Sequence, residues 1–312
     1  MRKIKSLAET LCIIAVLSFL IANLNYITRP TDSDTSVASI KAFHEVPENT
    51  LDVITYGSSH MWKGLDPRVI NEKYGIAAYN YACNWQHINT TKLFIEDSLL
   101  TQHPKLAVID TYMVNWLLRD TDLNGEIYYT RFLKNTPSRI SFLRQCFGRN
   151  IEGYVSYFLP FVVFHENWKN ISQSSYRAAD ASKDIFIGNK GFSGMQTVEP
   201  VTLPDSSEFG QEPLTDQARR ELDAIVNMLQ EQGARVLFIT IPYEGEFKCI
   251  DAVTEYASEH DCDYLNLFEH IEEIGLDGNT DFCDAGHLNE SGGGKIGDFM
   301  GAYLKDNYGE IL

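Results

Sequence analysis

Two short segments of the chain carry residue types that together could perform nucleophilic catalysis. Gly57-Ser58-Ser59 follows the apolar run Leu51–Tyr56, and Asp284 precedes His287 by three residues near the other end of the chain. A serine hydroxyl attacks an acyl carbon when a base takes its proton, and a carboxylate holds that imidazole base in the required tautomer. Ser59, His287 and Asp284 therefore supply the three groups of a serine triad, although each segment alone is a weak signal.

The hydrophobic pattern predicts the scaffold that must position these groups. Strand-like apolar runs alternate with helical stretches, which is typical of a parallel sheet with helices on both faces. The predicted strands are 51–56, 77–82, 106–110, 235–241 and 263–267, and the predicted helices are 67–75, 88–100, 215–232 and 291–304. Ligands of such sheets bind at the carboxyl ends of the strands. We therefore expect the turn after the first strand to present Ser59 at that edge, where the loop carrying His287 can meet it.

Residues 115–210 interrupt this alternation. They are rich in aromatic side chains between Tyr128 and Trp168, and in Gly, Ser and Pro from Gly188 to Pro213. We interpret them as an insertion of helical segments. The insertion is either a lid or cleft wall over the strand ends or a packed extension without a ligand role.

The N-terminus predicts a membrane anchor over residues 1–28. Arg2, Lys3 and Lys5 precede an apolar run over residues 7–27, close to the ~20 residues that cross a bilayer. The basic flank favours a single-pass protein of the cell membrane with its catalytic domain outside the cytoplasm. A cleaved signal peptide, giving a secreted protein, is the alternative, but no clear small-x-small cleavage site precedes Thr31. Residues 29–50 are polar and are predicted to form a tether to a domain over residues 51–312.

Charge and cysteine content exclude several classes of partner. The net charge is −17, and it is −19 without residues 1–28, which argues against nucleic acid as a ligand. The six cysteines form no CxxC pair and no zinc-like cluster. We therefore expect neither a metal ion nor an organic cofactor.

Two sequence blocks of the chain are Gly57-Ser58-Ser59 and Asp284-x-x-His287, the second of which is followed by Leu288-Asn289. They resemble the first and last blocks of the SGNH (GDSL-like) hydrolase superfamily. The likeness is to its membrane-anchored Gly-Ser-Ser branch and covers about residues 50 to 308. It implies a flavodoxin-like three-layer α/β/α sandwich with about five parallel strands, Ser59 as nucleophile, and acyl-ester chemistry. Relatives in this branch act on bacterial envelope polymers, including alginate-type O-acetylation and D-alanylation of teichoic acids. The resemblance therefore implies an envelope polysaccharide or other acylated polymer as substrate, and a membrane acyl-transfer protein as a candidate partner.

The chain departs from the family pattern where the oxyanion hole is expected. The second block has no glycine over residues 80–86, so the backbone N–H of Ala82 or Cys83 is expected to act with that of Ser59. The third block's Gly-x-Asn-Asp is absent after the third strand. A side-chain donor would then come from Asn84 or Asn115.

Three further side chains are candidates for substrate contact. Trp85 and Gln86 follow the second strand and could bind the face and hydroxyls of a sugar, with buried packing as the alternative for Trp85. His165, in the insertion, could line the cleft or could belong to a structural helix end.

The sequence thus predicts an acyl-ester enzyme whose acyl-serine intermediate is resolved by water, as in an esterase, or by a sugar hydroxyl, as in an O-acyltransferase. The alternative is a catalytically inactive SGNH-like protein that binds a glycan or takes part in envelope assembly. A lipase-like hydrolase has only the predicted membrane proximity in its favour.

Overall fold

The computed structural model of the chain describes residues 2–28, 35–119, 127–170 and 182–312. Its centre is a five-stranded parallel sheet with the strand order β2-β1-β3-β4-β5. The strands are β1 (Val53–Tyr56), β2 (Ala78–Asn80), β3 (Leu106–Asp110), β4 (Arg235–Thr240) and β5 (Asp263–Asn266). This is the flavodoxin-like order, so the predicted α/β fold is confirmed. The strands end within two residues of the predicted limits.

Helices and one small hairpin complete the architecture. The helices are α1 (Arg2–Thr28), α2 (Thr35–Phe43), α3 (Ser59–Gly64), α4 (Pro67–Tyr74), α5 (Ile88–Ser98), α6 (Pro137–Phe147), α7 (Ile151–Phe158), α8 (Phe161–Phe164), α9 (182–188), α10 (Asp216–Glu231), α11 (Ile250–Glu259), α12 (Ile271–Ile274) and α13 (Glu290–Tyr308). The antiparallel hairpin consists of β6 (Phe282–Asp284) and β7 (His287–Leu288). It lies directly before α13.

The sheet separates two hydrophobic cores, as the side-chain alternation of a strand requires. In β4, Val236 and Phe238 join one core, whereas Leu237 and Ile239 join the other. Helices α5 and α10 cover the first face, and α3, α4 and α13 cover the second. Both faces of the sheet are therefore buried, which explains why the strands are almost continuously apolar.

The helix that follows the hairpin packs very closely on α4. At Gly297 and Gly301 of α13, an added Cβ would collide with the Asp66 carbonyl oxygen and the Tyr74 ring, respectively. Only glycine permits this approach. The close packing fixes α13, and hence the hairpin before it, against the helices that follow β1.

The predicted tether over residues 29–50 is wrong for residues 35–43, which form the buried helix α2. Ile40 is fully buried, and the Phe43 ring stacks on Tyr81 with 3.8 Å between ring centroids. The polar composition around this segment concealed apolar side chains at helical spacing: Val37, Ile40 and Phe43 all join the first core. Residues 29–34 lie outside the described residues.

The region of the predicted insertion contains α6 to α9 between β3 and α10. Side chains of α6 and α7, such as Phe142 and Tyr157, join the first core, and α6 packs on α5. This packing favours a packed extension over a lid for these two helices. Residues 120–126 and 171–181 of the predicted insertion lie outside the described residues.

Within the described residues, one helical segment is long and apolar enough to cross a membrane. It is Ser6–Thr28, most of α1. A signal sequence near an N-terminus can also meet this criterion of length and composition, so the segment is consistent with both predictions made for the N-terminus.

Candidate functional site

The structure brings Ser59, His287 and Asp284 into one hydrogen-bonded group. Ser59 Oγ lies 2.7 Å from His287 Nε2, and His287 Nδ1 lies 2.8 Å from Asp284 Oδ1. Ser59 is the first residue of α3, directly after β1, while the other two residues lie on the β6–β7 hairpin. The N–H of Gly286 donates to Asp284 Oδ1 at 2.8 Å and orients the carboxylate. This is the connectivity of a nucleophile, a base and an orienting acid.

The turn before Ser59 is held by buried polar contacts. The Ser58 hydroxyl donates to Asp110 Oδ2 at 3.1 Å and accepts the N–H of His60 at 3.3 Å, so that Ser58 caps α3. Gly57 has a φ of 153°, and a Cβ there would lie 2.5 Å from the Asp110 Cβ. Glycine is therefore required at the residue where the chain leaves β1 and turns towards Ser59.

Burial and nearby charges set the pKa values of His287 and Asp284. Burial lowers the pKa of His287, and the positive charge of Lys63 lowers it further. Asp284 raises that pKa but does not offset the other two effects. For Asp284, partial burial raises the pKa, but the Gly286 N–H and the His287 and Lys63 charges outweigh burial, so that this pKa is lowered. At neutral pH the imidazole is thus predominantly neutral and the carboxylate ionised, as general-base catalysis requires.

Two of the expected oxyanion donors are already engaged. The Ala82 N–H donates to Asn80 Oδ1 at 3.2 Å, and the Cys83 N–H donates to the Gly57 carbonyl oxygen at 3.3 Å. The prediction that these amides are free to bind an oxyanion is therefore corrected. The Ser59 N–H, as the first amide of α3, has no acceptor within its helix.

The two side-chain donor candidates differ in their surroundings. Asn115 accepts the N–H of Thr215 at 2.9 Å and donates to the Pro213 carbonyl oxygen at 3.1 Å, which fixes the start of α10. Asn84 is half-buried in the turn after β2, and the Cys83 N–H joins that turn to Gly57 in the turn that presents Ser59. The side chain of Asn115 is thus engaged at the start of α10, whereas Asn84 belongs to a loop that is bonded to the Ser59 turn.

Trp85 and Gln86 lie on the same loop but have opposite environments. The Trp85 side chain is 51% exposed, and its backbone has the uncommon φ of 52°. Its carbonyl oxygen accepts the Tyr129 hydroxyl and the His87 N–H, both at 2.9 Å, which holds the turn rigidly. Gln86 is buried, and its Oε1 accepts the Gly57 N–H. The prediction that Gln86 binds sugar hydroxyls is therefore wrong, because its side chain supports the turn that presents Ser59 instead.

His165 lies at the end of α8, which is the second of the two environments considered for it. Its Nδ1 bonds with the Val162 carbonyl oxygen, and the side chain is exposed. The 3₁₀ segment His165–Asn170 packs mainly against α1 and α8. These contacts do not support a place for His165 in a cleft above Ser59.

Two residues close to this hydrogen-bonded group, Lys63 and His60, were not among the predicted site residues. Lys63 lies one helical turn after Ser59 on α3, a spacing that the sequence already showed. The His60 ring stacks on Tyr112 with 3.5 Å between centroids and lies 5.2 Å from the His287 ring. Burial lowers the His60 pKa well below its usual value, and the charges of His287 and Lys63 lower it further. His60 is therefore a neutral, buried wall of the site.

A cavity of about 220 Å³ adjoins this wall. Its lining includes Tyr112 and Tyr243, which pack on His60, together with Trp116, Glu212, Lys248 and Asn115. Trp116 is 53% exposed, and its carbonyl oxygen accepts the N–H of Ile88 at the start of α5. Aromatic and polar side chains thus line an open space on the far side of the two tyrosines that pack on His60. Among the described residues, no group of three or more His, Cys, Asp or Glu side chains is arranged to hold a metal ion.

The fold and the site together define a doubly wound α/β protein with a hydrogen-bonded serine, histidine and aspartate at the carboxyl edge of its sheet. No protein-family model and no curated protein sequence matches the chain. Among solved structures, the chain is similar to a Bacteroides fragilis protein described as a "putative acylhydrolase". The two share 8% sequence identity with a TM-score of 0.41, and the similarity covers 86% of this chain and 94% of the other.

Proposed function

We propose that this chain is a membrane-anchored, extracytoplasmic serine acyl-ester hydrolase or O-acyltransferase of the SGNH (GDSL-like) type. The observation that carries the proposal is the continuous chain of hydrogen bonds from Ser59 Oγ through His287 to Asp284, with distances of 2.7 Å and 2.8 Å. A neutral imidazole at that distance can take the hydroxyl proton as the oxygen attacks.

The proposed reaction has two halves. Ser59 Oγ attacks the ester carbonyl carbon while its proton passes to His287 Nε2, and the carbonyl oxygen becomes an oxyanion. The Ser59 N–H and the Asn84 side chain are the proposed donors to that oxyanion. The intermediate collapses to an acyl-serine, and His287 gives its proton to the departing alkoxide. Water or a sugar hydroxyl then gives a proton to His287 and attacks the acyl-serine. His287 returns that proton to Ser59 Oγ as the bond to the acyl carbon breaks, which releases a carboxylic acid or an acylated sugar.

An envelope polysaccharide or another acylated polymer is the proposed substrate. Trp85 and Trp116 expose their indole rings on two loops at the carboxyl edge of the sheet, and Trp116 lines the cavity beside His60. Exposed aromatic faces with nearby polar side chains are suited to the apolar face and the hydroxyls of a sugar. A membrane acyl-transfer protein would supply the acyl group if the chain acts as a transferase.

The test uses the full chain in detergent with a fluorophosphonate probe and p-nitrophenyl acetate. We expect the probe to label the wild type, and expect both labelling and turnover to be lost in Ser59→Ala and His287→Ala variants that keep the wild-type circular dichroism spectrum. Adding an oligosaccharide acceptor then separates the two activities, because only a transferase yields an acylated sugar. Turnover that persists in Ser59→Ala would overturn the proposal.

The engaged amides of Ala82 and Cys83 favour a second candidate function. With those donors occupied, the chain could be a catalytically inactive SGNH-like protein that binds a glycan or takes part in envelope assembly. A folded wild type that is never labelled, but binds envelope glycan in a manner that Trp85→Ala weakens, would favour this candidate.

A further inference from the structure

Helix α7 carries an apolar face that points away from the protein. Ile151, Val155 and Phe158 have the spacing of one helix face, and Ile151 and Phe158 are 76% and 53% exposed. The opposite face, with Gly153, Ser156 and Tyr157, is buried. A helix that borders water has the reverse arrangement, with its polar face outward. The exposed face of α7 therefore suits an apolar surrounding.

The exposed apolar surface continues from α7 to the end of α1. Val162 on α8 is exposed, and Trp168, in the 3₁₀ segment after α8, is 62% exposed. We call Ile151, Val155, Phe158, Val162 and Trp168 the α7–α8 apolar face. The elements that carry these residues contact one another. Helix α7 contacts α8, and both α8 and the 3₁₀ segment contact α1.

Two hydrogen bonds attach this region to the last turn of α1. The Phe161 N–H donates to Asn25 Oδ1 at 3.0 Å, and Asn167 Nδ2 donates to the Thr28 carbonyl oxygen at 3.1 Å. The apolar part of α1, Ser6–Thr28, has 23 residues, a length of about 34 Å at 1.5 Å per residue. That length matches the ~30 Å hydrocarbon core. If α1 spans a bilayer, its last turn, and with it α8, lies at the membrane surface.

The charge of the same region is opposite to that of the rest of the chain. Residues 127–170 contain six basic and two acidic residues, a net charge of +4, whereas the remaining residues contain 20 basic and 41 acidic residues, a net charge of −21. Arg144, on α6, and Arg149, just before α7, are exposed. Basic groups beside an apolar face are typical of segments that lie on anionic lipid.

We propose that the α7–α8 apolar face lies in the interfacial layer of the bilayer that α1 enters, as a second membrane contact of this chain. Ile151 and Phe158 enter the headgroup and acyl boundary, Trp168 occupies the interfacial position that tryptophan favours, and Arg144 and Arg149 face the lipid phosphates. The inference rests on the membrane anchoring in the proposed function and is independent of catalysis. Because α6 and α7 also join the core of the sheet domain, this contact would fix the domain at a set orientation above the membrane.

The test measures the depth of spin labels on the full chain in lipid nanodiscs containing phosphatidylglycerol. Labels are attached at Phe158→Cys and, as an independent site, at Ile151→Cys, in a chain whose exposed Cys12 and partly exposed Cys262 are replaced by alanine. Collision with oxygen, which partitions into lipid, is compared with collision with a water-soluble nickel chelate. The matched control is Val198→Cys, another exposed apolar position, on a segment whose Glu199 N–H donates to β6.

We expect the labels at positions 158 and 151 to favour oxygen collision several-fold more than the label at position 198. Nickel accessibility equal to that of the control would overturn the proposal. Protection from both reagents, with spin–spin broadening that disappears on dilution with unlabelled protein, would also overturn it, because a second copy would then cover the face. Repeating the measurement with Ser59→Ala keeps the result separate from the proposed activity, since this variant is expected to give the same depths.

Discussion

The side-chain oxygen of Gln86 accepts the backbone N–H of Gly57 at 2.7 Å, which joins the loop after β2 to the turn that presents Ser59. Both groups are buried, and the Gln86 amide also reaches the Tyr81 carbonyl oxygen at 3.4 Å. A buried N–H without an acceptor is costly. Gln86 therefore holds Gly57, which lies two residues before the proposed nucleophile Ser59, and does not face a substrate.

We expect Gln86→Leu to destabilise the protein by about 1–3 kcal/mol, because the Gly57 N–H loses its acceptor. The kcat on p-nitrophenyl acetate should fall as Ser59 loses its fixed place. Thermal unfolding and steady-state kinetics of the full chain in detergent measure the two effects. The control is Trp85→Ala, which removes an exposed ring and should weaken polymer binding with little change in stability. If Gln86→Leu instead left stability intact and raised only the KM for polymer, a substrate-binding role would be restored.

Asn84→Ala tests the side-chain donor to the oxyanion. Loss of one such donor typically lowers kcat by about 10² to 10³. Because Asn84 is half-buried in a turn, we expect unfolding to be nearly unchanged. Asn115→Ala is the matched control, since Asn115 bonds to Thr215 and Pro213. It should lower the free energy of unfolding by about 1 kcal/mol with a smaller effect on kcat. If Asn115→Ala lowered kcat more than Asn84→Ala did, Asn115 and not Asn84 would be the donor to the oxyanion.

Lys63→Met tests the electrostatic setting of the base. Burial is the main cause of the low His287 pKa, and the Lys63 charge adds to it by opposing protonation of the imidazole. Removing that charge raises the pKa of His287, so the acid limb of the kcat/KM profile should move to higher pH while the plateau is retained. The measurement is hydrolysis of p-nitrophenyl acetate from about pH 4 to about pH 8. An unshifted acid limb would show that His287 is not the group that titrates in catalysis.

The sequence predicted the sheet well because the signals for buried strands are local. The runs around Val236–Ile239 and Leu106–Asp110 are apolar, short and bounded by turns, and the parallel order follows from their alternation with helices. The approach of Ser59 to Asp284 and His287 was expected because the first and last loops of such a sheet can share an edge.

Two of the errors arose where a role depends on a hydrogen bond between residues far apart in the chain. The Cys83 N–H and the Gln86 side chain both bond to Gly57, and spacing in the sequence does not reveal that partner. The Ala82 N–H bonds instead to the side chain of Asn80, only two residues away, which is the local type of contact that asparagine makes with the backbone. The helix α2 was missed for a related reason, because its apolar side chains are few and the core that covers them is formed by residues far along the chain.

Phe43→Ala tests whether α2 is an integral part of the domain. The Phe43 ring is buried against Tyr81 and Tyr79, and removal of a buried phenylalanine side chain typically costs about 3–5 kcal/mol. We expect a loss of that size in the free energy of unfolding, measured by chemical denaturation of the full chain in detergent. Val198→Ala, at an exposed position, is the control and should change stability by less than about 0.5 kcal/mol. If both substitutions changed the free energy of unfolding equally, residues 35–43 would act as a tether and not as part of the domain.

Asp110 gives the folded protein a pH dependence with a predictable sign. Burial raises the pKa of this carboxyl to about 7, although the Tyr112 N–H and the Ser58 hydroxyl act in the opposite direction. Between its usual value of 3.8 and about 7, the folded protein holds a proton that the unfolded chain has lost. Stability from this group is therefore complete below the usual pKa and is lost as the pH rises through about 7.

The asparagine side chain resembles a protonated carboxyl group, so Asp110→Asn should remove the loss of stability at higher pH. We expect the variant to gain stability relative to the wild type as the pH rises, by an amount on the order of a few kcal/mol between about pH 4 and about pH 8. The free energy of unfolding of both proteins at the two pH values measures this change. If the difference between variant and wild type were the same at both values, Asp110 would be ionised throughout. The Ser58 hydroxyl would then donate to a permanent carboxylate at the turn that presents Ser59.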